Sequence, residues 1–248
     1  MDISKLKRQW LAEENAVLTG WDFSRLNDKT ETAPMKWDYV ELVKRYLKPT
    51  DALLDMGTGG GERLLEIGHP YHLTHVTEGY PPNVELCHKN LAPLGVGVNQ
   101  VFSNVLPFEN GIFDAVINRH SVFDMYEVWR VLKPGGLFIT QQVGADNNDR
   151  LIAALGYEKH FKFHTLQNNV EKVAMQGFDV VLQDECLQTI KYNDVSAVVF
   201  FAKSIPWQFP GFSVETHLPQ LVEIQKQVDS NGYFEDVNHR FIIVARRN

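Results

Sequence analysis

A run of glycines directly after a short apolar segment is the part of this sequence best suited to binding a ligand. The segment reads LLDMGTGGGE from Leu53 to Glu62, with glycine at 57, 59, 60 and 61. A strand that stops in glycines before a helix presents bare backbone amides and the positive end of the helix dipole. Glycine is required because a ligand must approach the backbone closely and because some residues need positive φ. Such a loop alone fits a nucleotide site, a dinucleotide site or a purely structural turn.

The spacing around the loop narrows the choice of ligand. The dinucleotide fingerprint G-x-G-x-x-G requires glycine at position 62, where Glu62 stands, and the phosphate loop G-x-x-x-x-G-K-S/T is absent. A carboxylate at the helix entrance would repel a pyrophosphate, whereas it tolerates a zwitterionic amino-acid group. Glu78, 21 residues after Gly57, can accept both hydroxyl protons of a ribose. The sequence therefore predicts a nucleoside-like ligand without phosphate and disfavours a nicotinamide oxidoreductase.

The elements that would position these residues alternate between strands and helices. Short apolar runs predict strands at 52–56, 73–78, 96–103, 113–119 and 137–143. Helical spacing is found before them at 1–18 and 36–48, and between them after the glycine loop, from Pro81 onward and over 121–133. This alternation predicts an α/β fold with a mostly parallel, doubly wound sheet that is covered on both faces.

The last part of the chain is less regular. It predicts a helix at 165–176, a long strand at 178–192, two helices within 193–237 and a closing strand at 239–247. No stretch rich in Gly, Pro or Ser separates these elements. We therefore predict a single domain over 1–248, with an N-terminal helical cap at 1–48, a sheet core at 49–192 and 238–248, and a helical lid at 193–237.

Four blocks of sequence, in order, resemble the class I S-adenosylmethionine-dependent methyltransferases. They are the D-x-G-x-G-x-G loop that begins at Asp55, the pattern of acid, two residues and proline in TEGYPPNVELC, and the segments LPFENGIFDAVINRH and VWRVLKPGGLFIT. The resemblance covers about residues 36–143. It implies a seven-stranded, Rossmann-like sheet with an antiparallel last strand, and S-adenosyl-L-methionine as methyl donor.

The same resemblance implies roles for individual residues. It places the methionine end of the cofactor on Asp55, Gly57, Thr58, Gly59 and Gly61, the ribose on Glu78, and the adenosine against Gly79 and Tyr80. Where the family often has Asp after the third strand, this chain has Ser103-Asn104-Val105, so that Asn104 would accept from the adenine amino group without a charge. Asn118 and Arg119, at the end of the fourth strand, complete the predicted cofactor site.

His120 is the candidate catalytic residue. Methyl transfer is an in-line displacement at an activated sulfonium carbon, so the protein mainly has to align the two reactants and exclude water. A general base is needed only where the acceptor must lose a proton. His120 lies next to the predicted methyl position and has an ordinary pKa near neutrality, which suits a base, although a packing or capping role stays open.

Other reactive side chains carry less information. His69, His72 and His75 recur every third residue but straddle a turn and a strand start, so no metal site is predicted. Trp21, Phe23, Trp37 and Trp207 are candidates for the acceptor pocket, because aromatic residues in irregular segments suit lids over flat or apolar ligands. Sealing the edge of the sheet is an equal alternative for them.

Composition bears on the partner and the compartment. A net charge of −7 disfavours broad contact with nucleic acid, and the motifs N-P-P-Y/F and Pro-Cys of RNA base methyltransferases are absent. Two cysteines, no signal peptide and no apolar run long enough for a membrane span predict a cytoplasmic protein. We therefore predict a small-molecule acceptor. RNA base methylation and non-catalytic binding of S-adenosylmethionine remain alternatives, and the oligomeric state stays open.

Overall fold

Within residues 1–16, 23–103 and 105–248, which this computed structural model describes, the chain forms nine α-helices and eight β-strands. The helices are α1 (Ile3–Glu14), α2 (Tyr39–Tyr46), α3 (Glu62–Ile67), α4 (Pro81–Asn90), α5 (Met125–Val131), α6 (Asp149–Ala154), α7 (Leu166–Met175), α8 (Val195–Ser204) and α9 (Leu218–Asn231). The strands are β1 (Thr30–Thr32), β2 (Leu53–Met56), β3 (Thr74–Glu78), β4 (Gly97–Gln100), β5 (Phe113–Arg119), β6 (Leu132–Val143), β7 (Phe178–Tyr192) and β8 (Phe234–Arg247). Two predicted binding residues, Trp21 and Asn104, lie outside the described residues.

The strands form one sheet in the order β1-β7-β8-β6-β5-β2-β3-β4. Neighbours from β4 through β6 pair in parallel. β8 runs antiparallel to β6, and β1 runs antiparallel to β7. The direction of strand order reverses at β2 and β5, since β3 and β4 extend to one side of β2 while β5 and β6 extend to the other. In doubly wound sheets a ligand binds outside the carboxyl ends of the strands at such a reversal.

The predicted fold class is confirmed, with corrections to individual elements. The described residues form eight strands where seven were predicted, because Thr30–Thr32 pairs with the end of β7 inside the segment predicted as a helical cap. This strand is only three residues long and polar, so it has no apolar alternation to reveal it. The strand predicted at 96–103 is shorter, Gly97–Gln100, and the helix Asp149–Ala154 was not predicted.

Capping side chains fix where several helices begin. Asp38 precedes α2 and accepts a hydrogen bond from the amide of Glu41, and Asp124 does the same for Glu127 at the start of α5. Each satisfies an amide that has no partner within its helix. α4 instead begins with Pro81, which has no amide hydrogen to satisfy. The helices beside the glycine loop and beyond β5 thus have starting points encoded in the local sequence.

The chain divides into two compact units, and each has its own core. The first comprises 1–35, 145–162 and 187–239, and its core includes Trp10, Tyr192 and Phe209. The second comprises 36–144, 163–186 and 240–248. In the second unit, consecutive residues Leu53 and Leu54 belong to different buried clusters, as expected for a parallel strand covered on both faces. The single domain with a lid at 193–237 stays a prediction.

Across the described part of the chain, no helix is both long enough and apolar enough to cross a membrane.

Candidate cofactor and acceptor site

The glycine loop between β2 and α3 is fixed at both ends. The amide of Gly57 donates to the carbonyl of Thr77 in β3 at 2.9 Å. Gly57, Gly59 and Gly61 have φ of 67°, 66° and 88°, a region that residues with a Cβ rarely adopt. At Gly57 a Cβ would also collide with the side chain of Ser121. The loop therefore needs glycine, and it lies directly against the residues that follow β5.

One backbone amide of the loop, that of Gly60, differs from its neighbours in its hydrogen bonding. The amides of Thr58, Gly59 and Gly61 each donate to an oxygen of the protein. The amide of Gly60 has no hydrogen-bond partner among the described residues, although Gly60 is buried. Buried amides without a partner are rare because their desolvation is uncompensated. Gly60, which sequence reasoning did not select, therefore offers the free donor that an incoming ligand could use.

Glu78 ends β3 with its carboxylate against the glycine loop. Its Oε2 accepts from the amide of Gly59 at 2.8 Å, and its Oε1 accepts from the amides of Gly79 and Tyr80 at 2.8 and 2.9 Å. Oε1 already accepts two hydrogen bonds, whereas Oε2 accepts one and has capacity for a further one. The side chain is thus positioned by backbone donors beside the free amide of Gly60, and it can still accept from a hydroxyl group.

Asp55, one strand away, is buried near the same carboxylate. Burial is the main cause that raises the pKa of Asp55, and the charge of Glu78 raises it further, to about 6. A hydrogen bond of 2.6 Å from the hydroxyl of Thr58, and the charge of Arg119, act in the opposite direction. This loop edge therefore carries two acids, of which one binds its proton unusually tightly.

The end of β5 is locked by a buried amide network. The side chain of Asn118 is fully buried: its Nδ2 donates to the carbonyl of Met56 at 3.1 Å, and its Oδ1 accepts from Thr140 and from Gln142 at 3.3 and 2.5 Å. Asn118 therefore ties β2, β5 and β6 together at the reversal of strand order. Its predicted contact with the cofactor stays a prediction, and its side-chain hydrogen bonds are committed to the sheet.

Arg119 is a half-buried cation next to this network. Its guanidinium lies 5.9 Å from the ring centroid of Tyr39 and makes no hydrogen bond or ion pair with any described residue. Burial lowers the pKa of Arg119, and the charge of Arg63 lowers it further.

His120 follows with positive φ, 58°, and its amide donates to the carbonyl of Gln141 at 2.9 Å. Its ring is in contact with the amide of the same glutamine, with Nε2 lying 3.0 Å from Nε2 of Gln141. The other end of that amide, Oε1, accepts from the indole Nε1 of Trp37 at 2.8 Å. Trp37, a predicted pocket residue, thus orients Gln141 and, through it, His120.

The pKa of His120 lies well below its usual value. Desolvation of the ring by surrounding protein atoms, which disfavours its charged form, is the main cause of the lowered pKa. The charges of Arg240, Arg119 and Arg63 lower it further. Much of the residue's own surface nevertheless remains accessible. His120 is therefore a neutral imidazole at physiological pH that a ligand can still reach.

The predicted adenosine residues lie at the carboxyl ends of β3 and β4. Tyr80 and Val105 are exposed by 54% and 67%, and the hydroxyl of Ser103 accepts from the amide of Val105 at 3.3 Å. Phe102, which sequence reasoning passed over, is 86% exposed beside them. Such uncovered aromatic surface at the edge that carries Glu78 suits contact with a flat base.

The other predicted pocket residues lie in the first unit. The ring of Phe23 packs against Phe200 and Phe201 of α8, with centroids 6.4 and 6.1 Å away. Trp207 is 53% exposed. Their contact with an acceptor stays a prediction.

Neither cysteine is a candidate nucleophile or ligand. Cys87 is buried in α4 and donates to the carbonyl of Gly59 at 3.0 Å, and burial, together with nearby acids, raises its pKa to about 12. Cys186 is also buried. No group of three or more His, Cys, Asp or Glu in the described ranges is arranged to hold a metal ion.

Comparisons with known proteins find similarity to methyltransferase domains. Residues 54–140 match the family model described as a methyltransferase domain. The YcgJ protein of Bacillus subtilis has a similar structure, with a TM-score of 0.60, 16% identity, and coverage of 85% of this chain and 98% of that one. No curated protein matches the sequence. The strand order and the glycine loop are those of the class I, Rossmann-like methyltransferase fold, and residues 54–140 are similar to a methyltransferase domain.

Two further structures show that this fold serves different chemistries. A geranyl diphosphate methyltransferase in complex with its substrate and sinefungin has a TM-score of 0.50 and 16% identity, covering 84% of this chain and 76% of that one. The cyclase SpnF has a TM-score of 0.54 and 17% identity, covering 99% and 92%. At such identities the similarity concerns the fold alone, and the reaction depends on the residues of the site.

Proposed function

We propose that this protein is an enzyme that binds S-adenosyl-L-methionine and transfers its methyl group to a small molecule. The main support is that the glycine loop meets Glu78 at the reversal of strand order. There, the buried amide of Gly60 has no partner among the residues that the structure describes, and the amide of Gly59 orients the carboxylate. The similarity of residues 54–140 to a methyltransferase domain supports S-adenosylmethionine as the ligand. The cofactor supplies an electrophilic methyl group on a sulfonium centre.

The residues of the chain would hold, orient and enclose the reactants. The amides of the loop from Gly57 to Gly61 and the nearby Asp55 would face the methionine end, and Glu78 would accept from the ribose. Gly79, Tyr80 and the segment 103–105 would lie against the adenine. Arg119, His120 and Trp37 would border the acceptor. Alignment of donor and acceptor of this kind can contribute about 7–11 kcal/mol to lowering a barrier.

The charge of the protein favours a small-molecule acceptor over RNA. The net charge is −7, and nucleic-acid binding depends on neutralising many phosphates. The buried, free cysteines Cys87 and Cys186 fit a reducing compartment, and we place the reaction in the cytoplasm.

Thermal denaturation with S-adenosylmethionine, S-adenosylhomocysteine and NAD in parallel tests the cofactor. A ligand at 100 times its dissociation constant stabilises by about 2.7 kcal/mol. We expect stabilisation by the two sulfur nucleosides and not by NAD. Glu78→Ala should lose most of that shift. Stabilisation by NAD alone would refute the proposal.

Transfer of a radiolabelled methyl group tests the reaction. The protein is incubated with labelled cofactor and a cell extract that has been separated into RNA and small metabolites. Label in the metabolite fraction supports the proposal, whereas label in RNA would establish the alternative acceptor. Tight cofactor binding with no transfer to any fraction would indicate a non-catalytic binding protein.

A further inference from the structure

Arg119 is a cation that lacks a counter-ion within the described residues. It is half-buried at the end of β5, and its guanidinium lies 5.9 Å from the ring centroid of Tyr39. The acids whose charges reach it are engaged elsewhere: Asp55 binds the hydroxyl of Thr58, and Glu66 binds Arg63 at 2.6 Å. Guanidinium groups in such surroundings normally pair with a carboxylate or a phosphate, because partial burial weakens their hydration.

His120 presents a second donor beside this cation. The indole of Trp37 can only donate, so Gln141 must turn its oxygen toward Trp37 and its NH₂ group toward His120. Nε2 of His120 therefore accepts a hydrogen bond, and the proton of the neutral ring lies on Nδ1. No described residue accepts from Nδ1. The lone pair of Nε2, which a general base would need, is already occupied by this hydrogen bond. The group of the ring that remains available to a ligand is the Nδ1–H.

The sheet register brings further positive charge to the same edge. Arg119 pairs with Gln141 of β6, and Val143, two residues further on, pairs with Arg240 of β8. Arg63 lies one residue into α3, after the glycine loop. The charges of Arg63, Arg119 and Arg240 all act on His120, in a protein with a net charge of −7.

We propose that Arg119 and the Nδ1–H of His120 together bind an anionic oxygen group, a carboxylate or a phosphate, on the methyl acceptor. This inference rests on the proposed function and narrows its substrate class. His120 then serves as a positioning donor, in place of the base that its residue type indicated. The methylated atom would be a nucleophile elsewhere in the same acceptor molecule.

The methionine carboxylate of the cofactor is the other anion that could reach Arg119, and it can be tested separately. Binding of S-adenosylhomocysteine and of 5′-methylthioadenosine, which lacks the amino-acid group, is measured by calorimetry for the wild type and for Arg119→Gln. We expect both affinities to change equally little. A loss of about tenfold or more for S-adenosylhomocysteine alone would assign Arg119 to the cofactor and overturn the inference.

The acceptor arm uses the protein saturated with S-adenosylhomocysteine and labelled with ¹⁵N-histidine, with the signals of His120 assigned through His120→Gln. Benzoate and phenyl phosphate are the probes, and benzamide is the uncharged control. We expect a saturable shift of the Nδ1 signal with at least one anion and none with benzamide. Arg119→Gln should weaken anion binding by about tenfold or more, and Arg119→Lys by less, because a lysine keeps the charge but not the planar fork.

Arg63→Gln is the matched control, since Arg63 carries the same charge near the same edge but is already paired with Glu66. It should change anion binding much less than Arg119→Gln. A signal of His120 that responds to neither anion, responds equally to benzamide, or shows the proton on Nε2 would overturn the inference. If S-adenosylhomocysteine itself fails to bind, the proposed function and this inference fall together.

Discussion

The carboxylate of Glu78 accepts a hydrogen bond of 2.8 Å from the amide of Gly59, so the acid at the end of β3 holds the glycine loop at the end of β2. The same carboxylate accepts from the amides of Gly79 and Tyr80. An acid that is expected to bind a ribose therefore also organises the loop in the absence of any ligand. Stability and cofactor affinity should depend on it together.

Glu78→Gln tests this double role. A glutamine can place its oxygen toward two amides, but its NH₂ group then faces the amide of Gly59, a contact of donor with donor. We expect the free energy of unfolding without ligand to fall by about 1–3 kcal/mol and the affinity for S-adenosylhomocysteine to fall about tenfold or more. Urea unfolding and calorimetry measure the two effects. Glu85→Gln, on the exposed side of α4, is the control and should change neither. Equal stability of Glu78→Gln and wild type would contradict the structural role.

The local parts of this site were predictable from sequence, and the parts that depend on pairing between distant segments were not. Gly57 and Glu78 stand out because a strand, a loop and a strand end are encoded in consecutive residues. Gln141 does not, because its role depends on the register between β5 and β6 and on Trp37, which is 104 residues away in the chain. The only sequence signal was an amide pair, Gln141 and Gln142, inside an otherwise apolar strand.

The same limit explains two other differences from the predictions. His120 has the residue type of a base, but which of its nitrogens carries the proton is set by a glutamine on the next strand. Gly60 is one glycine among four, and only the hydrogen bonds of the loop reveal that its amide has no partner within the described ranges. The residue types indicated where the site lies. Which group donates and which accepts a hydrogen bond there is determined by tertiary contacts.

The acidity of Asp55 predicts a pH dependence of stability. Its pKa is about 6 in the folded protein against 3.8 as the ordinary value, so the folded state binds the proton more tightly. The stability that it contributes is complete below about 3.8 and is lost as the pH rises through about 6. Asp55→Asn removes the ionisation and keeps an acceptor for Thr58. We expect the variant to gain stability relative to wild type between pH 5 and pH 8, by about 1–3 kcal/mol.

Urea unfolding of the wild type and of Asp55→Asn at pH 5 and pH 8 measures this difference in stability. The pH dependence that other acids cause is the same in both proteins and cancels in the comparison. Asp114→Asn is an informative control, because Lys133 and the amide of Ala52 hold the pKa of Asp114 below its usual value. This variant should lose stability relative to wild type above pH 4. An Asp55→Asn variant whose stability runs parallel to that of wild type across pH 5–8 would refute the prediction.

The contact between Gln141 and His120 predicts how the histidine titrates. In the wild type, a protonated ring would point an N–H at the NH₂ group of Gln141, in addition to the repulsion from Arg240, Arg119 and Arg63. Gln141→Glu supplies a carboxylate in its place, which can accept from both Trp37 and the ring. We therefore expect the pKa of His120 to rise strongly in Gln141→Glu, and to rise less in Trp37→Phe, where the amide of Gln141 becomes free to turn.

NMR titration of ¹⁵N-histidine follows both variants, and Trp207→Phe, in the other unit, is the control that should leave the titration unchanged. An ordinary titration of His120 near neutral pH in the wild type, or no change in Gln141→Glu, would mean that this amide does not control the ring.

We expect replacement by leucine to have opposite effects on stability at Asn83 and at Asn99. Asn83 is fully buried in α4, and neither its amide oxygen nor its nitrogen has a hydrogen-bond partner in the described part of the chain. The amide of Asn99 instead donates to the carbonyls of Val76 and Gly97, at 3.2 and 3.1 Å. A leucine has the same branching and the same number of side-chain heavy atoms as an asparagine, and it has no polar atoms to desolvate. Asn83→Leu should therefore raise the free energy of unfolding by about 1–3 kcal/mol, and Asn99→Leu should lower it by about 1 kcal/mol.

Thermal denaturation without ligand measures both effects, with a shift of about 2–4 °C for each kcal/mol in a chain of this size. If Asn83→Leu is instead destabilising, the amide has a partner, such as a buried water, that compensates its burial.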